Sequence, residues 1–146
     1  MDDTIVEVKC VQINLQHSRE ATANPMKYAA DNKVDIICVQ EPYIYQGRAA
    51  GIDSKYRTYT AGEAQNRTAI TVRNKSVDAT LISQLSEEDT IALEITRGET
   101  TLILASMYWV RQKPIQQDLT KVDMILEHGI REGVIIAMDS NARSTT

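Results

Sequence analysis

Long apolar runs, clustered cysteines and glycine-rich phosphate loops are all missing from this sequence of 146 residues. No apolar stretch approaches the roughly 20 residues that span a bilayer, and Met1-Asp2-Asp3 is not the basic start of a signal peptide. We therefore expect neither membrane attachment nor export. Because GxGxxG and GKS or GKT motifs do not occur, nucleotide-binding α/β folds are disfavoured.

The only two cysteines, Cys10 and Cys38, lie in separate apolar, strand-like runs. A free thiol in such a run behaves as a small buried hydrophobe, and so few cysteines indicate a reducing, intracellular compartment. A disulfide between them remains open on sequence alone. The zinc-site hypothesis has no support, since there is no CxxC motif and no cluster of histidines.

An excess of positive charge is also missing, since the net charge is −4 and the sequence pI is about 5.2. This excludes a non-specific nucleic-acid binder with a uniformly basic surface. The charges are nevertheless uneven, because residues 42–75 contain six basic side chains against two acidic ones. Such a charged stretch most often forms a solvated surface, and it is also compatible with a surface that faces phosphates.

The length and the average composition, 42% hydrophobic and 25% charged residues, predict one globular domain over residues 1–146. The apolar pattern predicts a strand over 5–15, covered on both faces and central in its sheet, then a helix over 18–33 containing Pro25. A second strand over 35–40 completes a βαβ-like unit. Residues 42–55 have no clear period and are predicted to form a long loop.

The remaining pattern is mostly β. Strands are predicted over 67–73, 78–82, 90–96 and 100–109, with a hairpin turn at Arg97-Gly98. Pro114 begins a helix that ends at Gly129 and has Ile115, Leu119, Val122 and Leu126 on its apolar face. A last strand covers 134–138. The chain is therefore predicted to be an α/β protein.

Polar side chains follow three of the apolar strands: Asn14 in QINLQ, Glu41 in VQEPY, and Asp139 with Asn141 in MDSNA. Taken singly, each also fits a turn, a cap or a solvated charge. Ligands of open α/β sheets gather at strand ends, so the combination favours a shared site. Tyr108, at the end of ILASMYW, adds a hydroxyl donor or a sheet-edge aromatic ring.

This set of side chains suits phosphoester hydrolysis. Glu41 can bind a hard divalent cation that needs only one or two protein carboxylates beside water and phosphate. Asp139 can take a proton from an attacking water, and the amides of Asn14 and Asn141 can orient that water without adding charge.

The stretches CVQINLQ, DIICVQEPY, RTAITV, LASMYW and MDSNA occur in this order between Val8 and Arg143. In these motifs the chain resembles the endonuclease/exonuclease/phosphatase superfamily, most closely the apurinic-endonuclease-like domain of non-LTR retrotransposons. The resemblance implies a DNase I-like four-layer αββα sandwich and a magnesium or manganese cofactor. It further implies nicking of double-stranded DNA in the nucleus, beside the reverse transcriptase of a longer polyprotein.

The resemblance also implies roles for individual residues. Glu41 would be the metal ligand, Tyr108 the contact to the scissile phosphate, and Asp139 the residue that activates or orients water. Asn14 and Asn141 would lie beside these carboxylates. The candidate DNA contacts are Arg48, Lys55, Arg67, Arg111 and Arg143.

Two departures from the family pattern shape the expected activity. Gln16 stands near the position of a further acid in repair relatives, and the family's closing serine-aspartate-histidine motif does not occur. We therefore expect the chain to be the N-terminal part of its domain, with little or no endonuclease activity of its own. The alternatives are a phosphatase or phospholipase of the same superfamily and a non-catalytic α/β binding module.

Overall fold

The computed structural model describes residues 7–62, 66–110 and 112–139. Two α-helices are described, α1 (Arg19–Asp31) and α2 (Ile115–His128), with a 3₁₀ helix at Ser83–Leu85. The strands are β1 (Cys10–Asn14), β2 (Ile36–Gln40), β3 (Ile44–Tyr45), β4 (Arg48–Ala49), β5 (Arg57–Tyr59), β6 (Thr68–Val72), β7 (Asp78–Leu81), β8 (Thr90–Arg97), β9 (Thr100–Tyr108) and β10 (Val134–Asp139).

The larger strands form two four-stranded sheets. The first sheet has the order β1-β2-β6-β5 and the second the order β10-β9-β8-β7. Each sheet contains one parallel pair, β1 with β2 and β9 with β10, and each pair is joined by one helix. The predicted βαβ unit at the start of the chain is therefore present, and a second one, β9-α2-β10, occurs in the other sheet.

Three apolar cores define four layers. One core lies between α1 and the first sheet and includes Ala29 and Val39. A second lies between the sheets and joins side chains such as Cys38 and Leu93. The third, around Ile125, lies between the second sheet and α2. The order helix, sheet, sheet, helix is the predicted αββα sandwich, because each sheet has two apolar faces to bury.

Local chemistry fixes the helix ends. The Ser18 hydroxyl caps α1 by accepting from the N–H of Ala21 at 3.1 Å, so Pro25 lies inside the helix and does not begin it. Gly129 ends α2 where the chain turns back towards β10, and a Cβ at this position would collide with Val134 and Ile103. No helix of the described ranges is long and apolar enough to span a membrane.

The prediction that the first strand is central is wrong for the described residues. There β1 bonds only to β2 at the edge of the sheet, and Cys10 and Gln12 are exposed. The other set, Val11 and Ile13, lies against the core beneath α1. Residues 1–6 of the predicted strand lie outside the described residues. Both cysteines are free thiols, Cys10 exposed and Cys38 buried, which excludes the disulfide alternative.

Two further expectations need correction. The predicted loop over 42–55 contains the short hairpin β3-β4, and the strand β5 follows it unpredicted. The apolar face of α2 is also rotated from the predicted one. Ile115, Leu119 and Leu126 are exposed, whereas Val122 and Ile125 pack against the core and Asp118 is buried. A periodic pattern predicts a helix, but it does not decide which part of a wide apolar stripe the sheet covers.

Candidate functional site

The predicted site residues of the two sheets meet at one end of the sandwich. Asn14 is paired in register with Gln40, directly before Glu41, and Asp139 is paired with Tyr108. Parallel strands that share a βαβ unit end at the same edge of their sheet, so each sheet presents two of these side chains together. Hydrogen bonds then join the two pairs across the gap between the sheets.

The first of these bonds joins Asn14 to Asp139. The Asn14 Nδ2 donates to Asp139 Oδ2 at 2.7 Å, between residues 125 positions apart in the chain. The Asn14 Oδ1 accepts from the backbone N–H of Gln16 at 2.8 Å, so the amide can only present its NH₂ group to Asp139. The carboxylate of Asp139 is therefore held in a defined orientation.

The second bond joins Tyr108 to Glu41. The Tyr108 hydroxyl donates to Glu41 Oε1 at 3.1 Å, and the Glu41 side chain is 23% exposed. The backbone of Glu41 is fixed on both sides: its N–H donates to the Arg67 carbonyl at 2.7 Å, and its carbonyl accepts from the N–H of His17 at 2.8 Å. Glu41 is thus held by the loop before α1, the start of β6 and the end of β9.

The backbone at this end of the sandwich is strained. Glu41 has φ 48°, and Gln16 and His17 have φ 51° and 54°. Non-glycine residues adopt such left-handed conformations rarely, at a cost of order 1–3 kcal/mol each, and these conformations cluster at functional sites. In Glu41 the conformation turns the carboxylate out of the sheet directly before Pro42.

A buried polar network lies directly beneath Glu41. Gln40 Nε2 donates to Ser106 Oγ at 3.0 Å, and Ser106 Oγ lies 2.6 Å from Thr68 Oγ1, which donates to the Val39 carbonyl at 3.2 Å. Since Thr68 donates its only proton to the Val39 carbonyl, Ser106 must donate to Thr68. The network ties the first sheet to the second one residue from the candidate site.

Three charged residues that the sequence did not single out form a group that contacts the Tyr108 backbone through Asp89. The carbonyl of Asp89 accepts from the N–H of Tyr108 at 2.9 Å, and its buried carboxylate accepts from Lys113 Nζ at 2.6 Å. That hydrogen bond raises the pKa of Lys113. Burial, and then the nearby charge of Asp89, raise the pKa of Asp118 on α2. No sequence motif marks these residues, because Asp89 precedes β8 and Lys113 precedes α2, and the two meet only in the folded chain.

The predicted DNA contacts lie in different parts of the structure. Arg67 adjoins the site, since its carbonyl accepts from the N–H of Glu41. Arg48 is exposed on β4 of the small hairpin, and Lys55 forms an ion pair with Asp53 at 3.6 Å. The predicted residues Asn141, Arg111 and Arg143 lie outside the described residues.

The residues present suit a cation site that is rich in water. Across residues 7–62, 66–110 and 112–139, no group of three or more His, Cys, Asp or Glu side chains could hold a metal ion. Magnesium, however, keeps several waters and binds proteins through one or two carboxylates plus substrate phosphates. The partly exposed, backbone-fixed carboxylate of Glu41 meets that requirement.

Solved structures match this chain, although no family model and no curated protein sequence does. The endonuclease domain of TRAS1, a telomere-specific non-LTR retrotransposon, matches with a TM-score of 0.79 and 28% identity, covering 95% of this chain and 61% of that one. TDP2 from D. rerio, complexed with a single-strand DNA product, matches at 0.64 and 17%, covering 94% and 62%. An AP endonuclease from Archaeoglobus fulgidus matches at 0.60 and 18%, covering 93% and 58%.

These structures have the DNase I-like fold of the endonuclease/exonuclease/phosphatase superfamily, and this chain shares that fold. The predicted resemblance and fold class are thereby confirmed. Within that class, the chain is similar to the retrotransposon endonuclease domain of TRAS1 over nearly its whole length. The chain spans about three fifths of the length of each of these structures.

Proposed function

We propose that this chain forms the N-terminal part of a metal-dependent DNA endonuclease domain, in which Asn14, Glu41, Tyr108 and Asp139 are site residues. The observation that carries the proposal is the pair of hydrogen bonds between the sheets, Asn14 to Asp139 at 2.7 Å and Tyr108 to Glu41 at 3.1 Å. Two carboxylates, an oriented amide and a phenol at one strained strand-end cluster can supply proton transfer and charge stabilisation to phosphodiester hydrolysis.

In the proposed mechanism the two carboxylates have different roles. Glu41 would bind magnesium or manganese, which when bound neutralises charge on a phosphate oxygen and orients water. Asp139 would accept the proton of the attacking water. Asn14 holds Asp139 in the orientation that this transfer needs, since its own amide is locked by Gln16. The transfer would run from the water oxygen to a carboxylate oxygen of Asp139.

Tyr108 would stabilise the phosphate. Its hydroxyl already lies 3.1 Å from Glu41 Oε1, so a phosphate oxygen bound beside Glu41 would lie within reach of the same donor. The backbone of Tyr108 is held by the Asp89 carbonyl, so the phenol is positioned before any substrate arrives. Arg67, whose backbone adjoins Glu41, is a candidate for contact with the DNA backbone.

The substrate and biological setting belong to the same proposal. The similarity to the TRAS1 endonuclease domain and to a TDP2 bound to DNA supports DNA as the substrate. We propose double-stranded target DNA, cut by nicking in the nucleus, and a reverse transcriptase in the same polyprotein. The activity of this chain alone should be low, because the sequence contains no serine-aspartate-histidine triplet to stabilise charge at the phosphate.

A sensitive nicking assay tests the proposal. Supercoiled plasmid is incubated with the chain in Mg²⁺ or Mn²⁺, and Glu41→Gln and Asp139→Asn are compared with the unsubstituted protein. We expect slow nicking that falls about 100-fold or more in both variants. Glu94→Gln is the matched control, since Glu94 is exposed in the middle of β8, and it should nick normally. Equal, measurable nicking by Glu41→Gln and the unsubstituted chain would contradict the proposal.

A further inference from the structure

We propose that His17 is a second protein ligand of the divalent cation at Glu41, binding through Nε2, and that it gives this site a preference for manganese and similar metals over magnesium. The inference rests on the proposed metal role of Glu41. It is carried by the contacts of the imidazole ring, which fix both its position and the nitrogen that can bind a metal.

The ring nitrogens of His17 have different partners. Nδ1 lies 2.8 Å from the carbonyl oxygen of Pro42, which can only accept a hydrogen bond, so Nδ1 carries a proton. In the neutral ring the lone pair is therefore on Nε2. Nε2 lies 4.0 Å from Glu41 Oε1. A backbone carbonyl on one nitrogen and an unprotonated second nitrogen is the usual state of a metal-binding histidine.

The distance between the two ligand atoms suits a shared ion. Oxygen and imidazole ligands lie about 2.1 Å from divalent metals, so one ion can hold two of them up to about 4.2 Å apart. The observed 4.0 Å is close to that limit, whereas neighbouring ligands of an octahedral ion lie about 3.0 Å apart, so the side chains would approach by about 1 Å to share one ion. The side chains of His17 and Glu41 are 48% and 23% exposed, which leaves room for the water and phosphate ligands that complete the coordination.

The loop of His17 is built around Glu41. The N–H of His17 donates to the Glu41 carbonyl at 2.8 Å, and its ring bonds the next carbonyl, that of Pro42. The turn is held further by Asn14 Oδ1, which accepts from the N–H of Gln16. Both Gln16 and His17 adopt left-handed φ angles in this turn. The imidazole is thus placed before metal binds, which lowers the entropic cost of using it as a ligand.

The ligand set determines the expected metal preference. Carboxylate and water alone suit magnesium, calcium and manganese, whereas imidazole suits borderline metals such as zinc, iron and nickel, and affinity rises from manganese towards copper. A site with Glu41 and His17 should therefore bind manganese more tightly than magnesium. The advantage should depend on His17.

Electron spin-echo measurement on bound Mn²⁺ tests the inference without an activity assay. Imidazole nitrogen bound to Mn²⁺ gives a nitrogen modulation, and ¹⁵N-labelled histidine changes its frequency in the unsubstituted chain. The chain has only two histidines, so one substitution of each assigns the signal. His17→Asn keeps a residue that tolerates φ 54°, and His128→Asn is the matched control at the exposed end of α2.

We expect the nitrogen modulation in the unsubstituted chain and in His128→Asn, and its loss in His17→Asn. Mn²⁺ affinity should fall about 10-fold or more in His17→Asn, whereas Mg²⁺ affinity, measured by competition, should fall less. Bound Mn²⁺ without the nitrogen signal, together with loss of binding in Glu41→Gln, would overturn the role of His17 and leave that of Glu41 intact. Unchanged Mn²⁺ binding in Glu41→Gln, or no Mn²⁺ binding at all, would overturn both.

Discussion

The buried hydrogen-bond row beneath Glu41 makes a quantitative prediction for the stability of the chain. Gln40, Thr68 and Ser106 are each at most 1% exposed, so water cannot replace a lost partner. Ser106→Ala removes the acceptor of Gln40 Nε2 and the donor to Thr68. One buried donor left without a partner costs about 1–3 kcal/mol and one lost hydrogen bond about 1 kcal/mol more. We expect Ser106→Ala to lower the free energy of unfolding by about 2–4 kcal/mol.

A double-mutant cycle isolates the cause. Gln40→Met keeps the length of the side chain and removes the amide, including an Oε1 that has no hydrogen-bond partner in the structure. In the double variant Gln40→Met/Ser106→Ala no Gln40 amide remains buried and unsatisfied. The double variant should therefore be more stable than the sum of the single effects predicts, by about 1–3 kcal/mol.

Urea unfolding measures these differences through two signals. The single tryptophan, Trp109, adjoins the core under α2 and reports on tertiary structure, while far-ultraviolet circular dichroism reports on secondary structure. Ser54→Ala, at an exposed position, should change the free energy of unfolding by less than about 0.5 kcal/mol. Single effects that add to within about 0.5 kcal/mol would refute the argument, because independent residues behave in that way.

Three further predictions concern other parts of the chain. Asn14→Ala should reduce nicking about 10-fold or more and change the free energy of unfolding by less than about 1 kcal/mol, because its bond to Asp139 is exposed; a large loss of stability would instead make Asn14 structural. Burial raises the pKa of the Cys38 thiol to about 12, so iodoacetamide at neutral pH should label exposed Cys10 and spare Cys38 until urea unfolds the chain; mass spectrometry of the labelled protein decides this. Burial raises the pKa of Asp118 above its ordinary 3.8, so the folded state binds more protons than the unfolded state and loses stability as the pH rises above 3.8. Asp118→Asn should therefore be more stable than the unsubstituted chain at neutral pH, and urea titrations should show this difference vanish at about pH 3.

The helices and strands were largely predictable, and the predictions that failed have a common physical origin. Period and turn residues predicted both helices and most strands, since these signals are local. The edge position of β1, the small β3-β4 hairpin and the exposed stripe on α2 were not predicted. Each depends on what lies against an element, and a short sequence window does not contain that information.

The candidate site also contains some residues that the sequence could predict and others that it could not. Asn14, Glu41, Tyr108 and Asp139 could be named in advance because each follows an apolar strand in a recurring order of motifs. Asp89, Lys113 and the ligand geometry of His17 could not be named. They depend on contacts between chain segments, such as Lys113 to Asp89 and His17 to Pro42, that no motif encodes.

The sequence by itself therefore determined the α/β class, the resemblance to a superfamily and the polar groups at the strand ends. Apolar periodicity and the chemistry of single residues are written locally along the chain. The tertiary structure alone decided which of those groups meet, because the bonds from Asn14 to Asp139 and from Tyr108 to Glu41 join residues 125 and 67 positions apart. Such contacts form only when two sheets pack face to face and bring the ends of their parallel strands to the same edge.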